Sequence, residues 1–259
     1  MEKSYTLNID QDEFKDVNDL NLKIKLNINK SKKFVTDEEL FDIKYDWSGL
    51  SQLSLENDKL VQIDWLKYYK DIYQKNQVVI HHTCSGPGIS GDLATWKNFK
   101  SHIATCVIIG RDGKINQLFN SKYWGYHLGC GNKFLDQHSI AIELDSWGQL
   151  HEIDGDFYNI YNQKVDVPIR RYIKGFRKEQ IFEAYTKEQL WSLGELLLLW
   201  NNKYDISLKY NEDIWDISER ALNGESGVFT HVSYRPKGKW DAHPDPQLIS
   251  LLKYLSKAV

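Results

Sequence analysis

The stretch NQVVIHHT, residues 76–83, runs from two polar residues through Val78, Val79 and Ile80 into His81 and His82. A short β-branched run with polar ends reads as a buried strand. Its last residues carry the interest, because a histidine at the end of a rigid strand is held close to the edge of the sheet, where it can serve as a fixed metal ligand. His82 points to the opposite face from His81, since strand side chains alternate, and reads as structural.

Working outward, the elements change type along the chain. DLATWKNFK (92–100) is helix-like, and ATCVIIGRDGKINQLF (104–119) reads as two strands around Asp112-Gly113, a dipeptide suited to a tight hairpin. HSIAIELDSW (138–147) is another apolar strand. TKEQLWSLGELLLLWNNKYDI (186–206) opens with Thr186 and Gln189 in a capping-box pattern and carries Leu190, Leu193, Leu197, Trp200 and Tyr204 at helical spacing. PQLISLLKYLSKA (246–258) reads as a last helix. Strands mixed with late, long helices predict an α/β domain over 71–259, built on a single mixed β-sheet flanked by helices. Residues 148–185 are polar, aromatic and poorly periodic, and read as a long loop inserted near a binding face. Residues 1–70 read as an N-terminal extension with no assigned role. Within it, LNLKIKLNI (20–28) places Leu20, Leu22, Ile24, Leu26 and Ile28 on one side of a half-buried strand.

Composition narrows the function classes. The 259 residues are 41% hydrophobic and 27% charged, ordinary for a globular protein. A net charge of -3 supplies no global cationic field for nucleic acid or an anionic membrane, and no stretch has the apolar length of a spanning helix. The first residues, MEKSYTLNIDQDEF, lack an apolar run behind a basic start, so no signal peptide is expected and synthesis is expected in the cytoplasm. Cys84, Cys106 and Cys130 are odd in number and widely spaced, which argues against a disulfide framework. Nine Trp and fifteen Tyr suit aromatic-lined grooves and core packing alike.

The segment FTHVSYRPKGKWDAHPDP (229–246) gathers His231, Lys239, Asp241, His243 and Asp245 near the end of the chain. Zinc catalysis needs imidazoles or carboxylates on three fixed positions and a fourth left for water. His81 at one strand end, His231 after the strand-like VFT, and Asp241 on the following loop can converge on one ion.

VVIHHT, IIGRDGKINQLF, HSIAIEL and THVSYRPKGKWDAHPDPQL, in this order and at these separations, resemble the zinc-dependent N-acetylmuramoyl-L-alanine amidases of the amidase-2 type. That group includes phage amidase lysozymes, bacterial cell-wall recycling amidases and peptidoglycan recognition proteins. The likeness covers about residues 74–256, outside the insertion. It implies Zn²⁺ as cofactor, with His81, His231 and Asp241 as ligands, Glu143 as general base and Lys239 steadying the developing oxyanion. It also implies Trp124, His127 and Asn132, in WGYHLGCGN, as substrate-groove residues. The implied substrate is peptidoglycan or a muropeptide, cut between N-acetylmuramic acid and L-alanine by a monomer with no nucleic-acid partner and no membrane insertion.

Two departures matter. Thr105-Cys106 stands where phage members carry a catalytic tyrosine, which shifts the load to Glu143. DAHPDP replaces the usual Asp-Pro-Gly-Pro and leaves His243 and Asp245 as competitors for the third ligand position. The resemblance also admits a peptidoglycan-binding module that no longer cleaves, and a cytosolic recycling amidase acting on soluble fragments. The extension and the aromatic insertion favour a phage endolysin or similar wall-lytic enzyme, acting on the wall after release.

Overall fold

A computed structural model of the protein describes residues 45–53, 63–97 and 102–258. The chain runs β1 (Gln77–His82), α1 (Ile89–Lys97), β2 (Val107–Ile109), β3 (Ile115–Gln117), α2 (Lys133–Gln137) and β4 (Ser139–Leu144). It continues through β5 (Gln149–Ile153), β6 (Asp156–Tyr158), β7 (Lys164–Val165), β8 (Ile169–Phe176) and β9 (Glu179–Glu183). It ends with α3 (Lys187–Tyr204), α4 (Glu219–Leu222), β10 (Gly227–Thr230) and α5 (Pro246–Ala258). The expected strand at 20–28 and the end of the expected helix at 98–100 lie outside the described residues.

The mixed sheet is present in the order β10-β1-β4-β2-β3. Its first four strands are mutually parallel, and β3 turns back antiparallel to β2 through the Asp112-Gly113 turn. The parallel strands are covered on both faces, which is why central β1 and β4 and the edge strand β10 are buried at every position and show no alternation.

The late helices supply much of the cover. At the start of α3, Thr186 Oγ1 accepts from the Gln189 N–H at 3.0 Å and Gln189 Oε1 accepts from the Thr186 N–H at 3.1 Å, closing the capping box. The Leu190, Leu193, Leu197 and Trp200 stripe is buried in the core, where α3 packs on α5. Gly194 permits that approach: a Cβ there would lie 2.6 Å from Leu50 Cδ2 and 3.0 Å from Leu251 Cδ1. Described parts of the first 70 residues join the same core. Trp47 is buried, and its Nε1–H donates to Ser250 Oγ of α5 at 3.3 Å.

Residues 148–185 correct the expectation of a loop. They form a second sheet, order β7-β6-β5-β9-β8, antiparallel throughout. Its strands are short and mostly half-buried, so hydrophobic alternation is faint. The turn chemistry is not faint: Asp154-Gly155, both at positive φ (52° and 83°), joins β5 to β6 by the same dipeptide that joins β2 to β3.

Lys75, fully buried just before β1, donates from Nζ to the carbonyls of Gln137 at 2.7 Å and Ser139 at 3.2 Å, and no carboxylate pairs with it among the described residues. Burial depresses its pKa to about 8 from 10.5. The folded protein therefore sheds this proton before the unfolded chain does, and stability is gained as pH rises through the window from about 8 to 10.5. Urea unfolding of wild type and Lys75→Met across that window should show wild type gaining by roughly 3 kcal/mol relative to the variant. A constant difference would mean that Lys75 keeps an ordinary pKa.

Candidate metal centre

β1 delivers His81 in register with Glu143 of its parallel neighbour β4, one residue past Ile80, the last position of β1 that pairs with β10. His231 is the first residue of a 3₁₀ turn that ends β10. Thr230 and Ser233 cap that turn reciprocally, and Ser233 Oγ donates to the Ile214 carbonyl at 2.9 Å. The Val232 N–H donates to the Asp241 carbonyl at 3.1 Å, closing the base of the 232–241 loop and returning Asp241 to His231.

Three side-chain atoms converge. His81 Nδ1 lies 2.9 Å from His231 Nδ1 and 3.1 Å from Asp241 Oδ2, and His231 Nδ1 lies 2.8 Å from the same oxygen. All three residues are buried, at 2%, 3% and 7% exposure, so water does not solvate the cluster freely. Burial and the neighbouring His231 lower the His81 pKa to about 4, and Asp241 is held well below the carboxylate range by His231, His81 and Lys239 against the opposing effect of burial.

The donor set fits a metal. His231 Nε2–H donates to the Leu128 carbonyl at 2.8 Å, which in a neutral ring leaves a lone pair on Nδ1. That lone pair faces a carboxylate oxygen, a contact that only a cation or a proton makes favourable. Two imidazole nitrogens and a carboxylate oxygen are ligands zinc accepts, with an outer-shell acceptor already orienting one ring.

Glu143 pairs in register with His81 across β1 and β4, which places both side chains on one face of the sheet. Its Oε2 is buried without a hydrogen-bond partner among the described residues. Burial, then Asp241 and Asp92, push its carboxyl well above the usual range. Lys239 reaches in from the loop, Nζ 4.0 Å from Asp241 Oδ1 with a third of its side chain exposed.

The other expected site residues are placed differently. His127 is not on an open groove; it lies behind His81, Nδ1 3.1 Å from His81 Nε2. Trp124 is buried and stacked on Tyr69 at 4.1 Å. Asn132 is exposed and caps α2, its Oδ1 accepting from the Phe134 N–H at 3.1 Å. Thr105 is buried, as is Cys106, and the three cysteines are free thiols. His82 turns away from the cluster to Tyr185, Nδ1 to hydroxyl 2.9 Å.

His243 and Asp245 are engaged elsewhere. His243 stacks between Phe182 and Tyr185, 2.7 Å from the Tyr172 hydroxyl and 3.0 Å from the Glu183 carbonyl. Asp245 forms a buried ion pair with Arg170 at 2.8 Å.

These last contacts, which no local sequence signal marks, show residues of the second sheet holding the 232–245 segment from outside. At the β8–β9 turn, Arg177 donates to the carbonyls of Val232, Arg235 and Pro236 at 3.2, 3.1 and 2.8 Å, and Trp240 Nε1–H donates back to the Arg177 carbonyl at 3.3 Å. Arg177 and Lys178 both sit at positive φ (52° and 77°), a conformation that lacks a glycine here and is held by these contacts. Arg111 of the Arg-Asp-Gly turn makes a bidentate contact with Glu183 at 2.7 and 2.9 Å and also pairs with Asp145, tying the hairpin to both sheets.

The sequence profile of the amidase-2 family, described as N-acetylmuramoyl-L-alanine amidase, matches residues 73–247. No curated protein sequence matches the chain. Among solved structures, the chain is similar to the N-acetylmuramoyl-L-alanine amidase LysC from Clostridium intestinale URNW, at 14% identity and TM-score 0.45 over 75% of this chain and 94% of that one. It is also similar to AmiD from E. coli in complex with anhydro-N-acetylmuramic acid-L-Ala-D-gamma-Glu-L-Lys (18% identity, TM-score 0.44, 79% of this chain and 66% of that one). Staphylococcus aureus AmiA with its ligand gives 13% identity and TM-score 0.44 over 80% and 95%.

Zinc at about a hundred times its dissociation constant should stabilise the folded protein by roughly 2.7 kcal/mol, read as a rise in melting temperature. His81→Ala, His231→Ala and Asp241→Ala should each lose that rise, while Asp245→Asn keeps it. A rise that survives Asp241→Ala and disappears in Asp245→Asn would move the third ligand to Asp245.

Proposed function

Because the chain belongs to the amidase-2 family of N-acetylmuramoyl-L-alanine amidases, we propose that it is a zinc-dependent hydrolase of the amide bond between N-acetylmuramic acid and the L-alanine of the peptidoglycan stem peptide. The observation that carries this reading is the convergence of His81 Nδ1, His231 Nδ1 and Asp241 Oδ2 in a buried cluster, with Glu143 on the same face of the sheet as His81.

His81, His231 and Asp241 would hold the ion, which when bound supplies a Lewis acid and lowers the pKa of water to about 7. Glu143 acts as the proton carrier: its carboxylate takes the proton that the attacking water loses and passes it to the amine nitrogen as the C–N bond breaks. Burial is the largest cause of its raised pKa, with Asp241 second, and a cation held beside Asp241 would oppose both by favouring the carboxylate that a base needs. Lys239 places an ammonium beside the ligand carboxylate, where it can stabilise negative charge developing on the carbonyl oxygen.

We extend the reading to a wall-lytic role in the manner of a phage endolysin, with peptidoglycan as the physiological partner and a monomeric enzyme. Of the eight exposed large hydrophobic residues among the described residues, Ile153, Ile160, Tyr161 and Ile173 lie in the 148–185 segment, the surface this extension assigns to the wall. None of the described helices is long and apolar enough to cross a membrane. Digestion of intact sacculi against soluble muropeptides separates a lytic enzyme from a recycling one. Turnover of neither by zinc-loaded protein would leave a binding module.

On a defined muramoyl peptide, Glu143→Gln should keep zinc and lose roughly 10² to 10⁴ in kcat, the range for removing a general acid or base. Near-normal turnover would assign the base elsewhere. Lys239→Ala should lose about 10² to 10³ in kcat with KM little changed, as for a group that acts only when charge develops. A pure rise in KM would instead make Lys239 a ground-state contact.

A further inference from the structure

The segment 127–139 touches both histidines of the cluster from behind, and every hydrogen bond in that contact has only one possible direction. The Leu135 carbonyl can only accept, so Ser139 Oγ donates to it at 2.7 Å. Ser139 Oγ then accepts at 2.8 Å from His127 Nε2, which must carry its proton there. The His127 side chain is buried, and the Asp136 Oδ1 nearest it stands 3.9 Å from Nε2, beyond hydrogen-bond reach. Among the described residues no anion bonds the ring, a second ring proton would be an unpaired buried charge, and Nδ1 therefore bears a lone pair. His81 Nε2, 3.1 Å away, therefore donates to it and leaves the His81 lone pair on Nδ1, the atom that faces His231 and Asp241.

We propose that His127 is a positioning residue that fixes His81 as the Nε2–H tautomer, with Ser139 as its anchor, so that the protein presents a ready metal-binding Nδ1. This inference rests on the metal reading of the site and says how the site is prepared. His127 and its neighbour act together. Asp136 Oδ1 accepts from the N–H of His127 at 2.9 Å and of Leu128 at 3.0 Å, and the Leu128 carbonyl takes the Nε2–H of His231. One carboxylate of α2 thus holds the two consecutive residues that set the tautomers of both histidine ligands. Lys75 secures the far end of the chain of bonds by donating to the Ser139 carbonyl. Such partners fix ring orientation and ligand basicity, and their loss typically lowers metal affinity about 10 to 100-fold.

The test uses full-length protein, with two readouts. Long-range ¹H–¹⁵N spectra of the metal-free protein report the tautomer of each ring, and chelator competition reports the zinc dissociation constant. Wild type should show His81 and His127 as Nε2–H tautomers. His127→Leu should lose the pure His81 signature and bind zinc about 10 to 100-fold more weakly. His127→Gln, whose amide can accept from His81 and donate to Ser139, should restore both. Ser139→Ala removes one oxygen with little risk to folding and should mix the His127 tautomers while weakening zinc. An Nδ1–H tautomer for His81 in wild type, or unchanged zinc affinity in both His127→Leu and Ser139→Ala, would overturn the proposal. A wild-type protein that binds no zinc at all would instead overturn the metal reading, and the tautomer spectra would still decide this inference on their own.

Discussion

Two imidazole nitrogens and a carboxylate oxygen, each bearing a lone pair, repel one another when brought within about 3 Å in a place that water solvates little. Holding them there is the constraint on which the rest of the molecule depends. Each atom has to be supported from the side opposite the cluster. For His81 the support is a strand hydrogen-bonded on both edges, for His231 a doubly capped 3₁₀ turn, and for Asp241 a loop whose base is closed by the Val232–Asp241 backbone bond. The buried parallel sheet is the rigid part of this arrangement, and the ligands sit where its strands stop.

Much of that plan could be read from sequence because it depends on local chemistry. A β-branched run ending in histidine marks β1 and the candidate ligand His81 together. Thr186 and Gln189 start α3 through a capping box that needs only the residues in it, and Asp112-Gly113 turns the β2–β3 hairpin for an equally local reason. The third-ligand choice among Asp241, His243 and Asp245 was not local. The latter two are occupied by Tyr172 and Arg170 from β8, partners some seventy residues away along the chain.

The second sheet was missed for a related reason. Most of its strand positions are half-buried, so the period of two fades, and what ties it to the 232–245 segment is one apolar stack, Phe182 on His243, beside polar contacts: the Arg170–Asp245 pair and the Arg177 bonds to the 232–241 loop. Only Asp154-Gly155 marked it in the sequence. His127 illustrates the opposite case. Its type and position drew attention, but whether a histidine meets substrate or a neighbouring histidine is decided by ring packing that no spacing reports. Ser139 and the Leu128 carbonyl, which complete that contact, carry no signal in the sequence at all.

The grip of Arg177 on the loop between His231 and Asp241 has a consequence for how such a protein can change over time. An insertion that merely decorates a domain can be gained, trimmed or exchanged without the host noticing. Here the host's own loop has delegated three of its carbonyl groups and an indole N–H to the insertion's turn. Shedding the inserted sheet would leave those groups to find new partners in the one segment whose geometry leaves least room for error. The turn and the loop are thus one mechanical unit, while β6 and β7 lie at the edge of the second sheet opposite β8, away from these bonds.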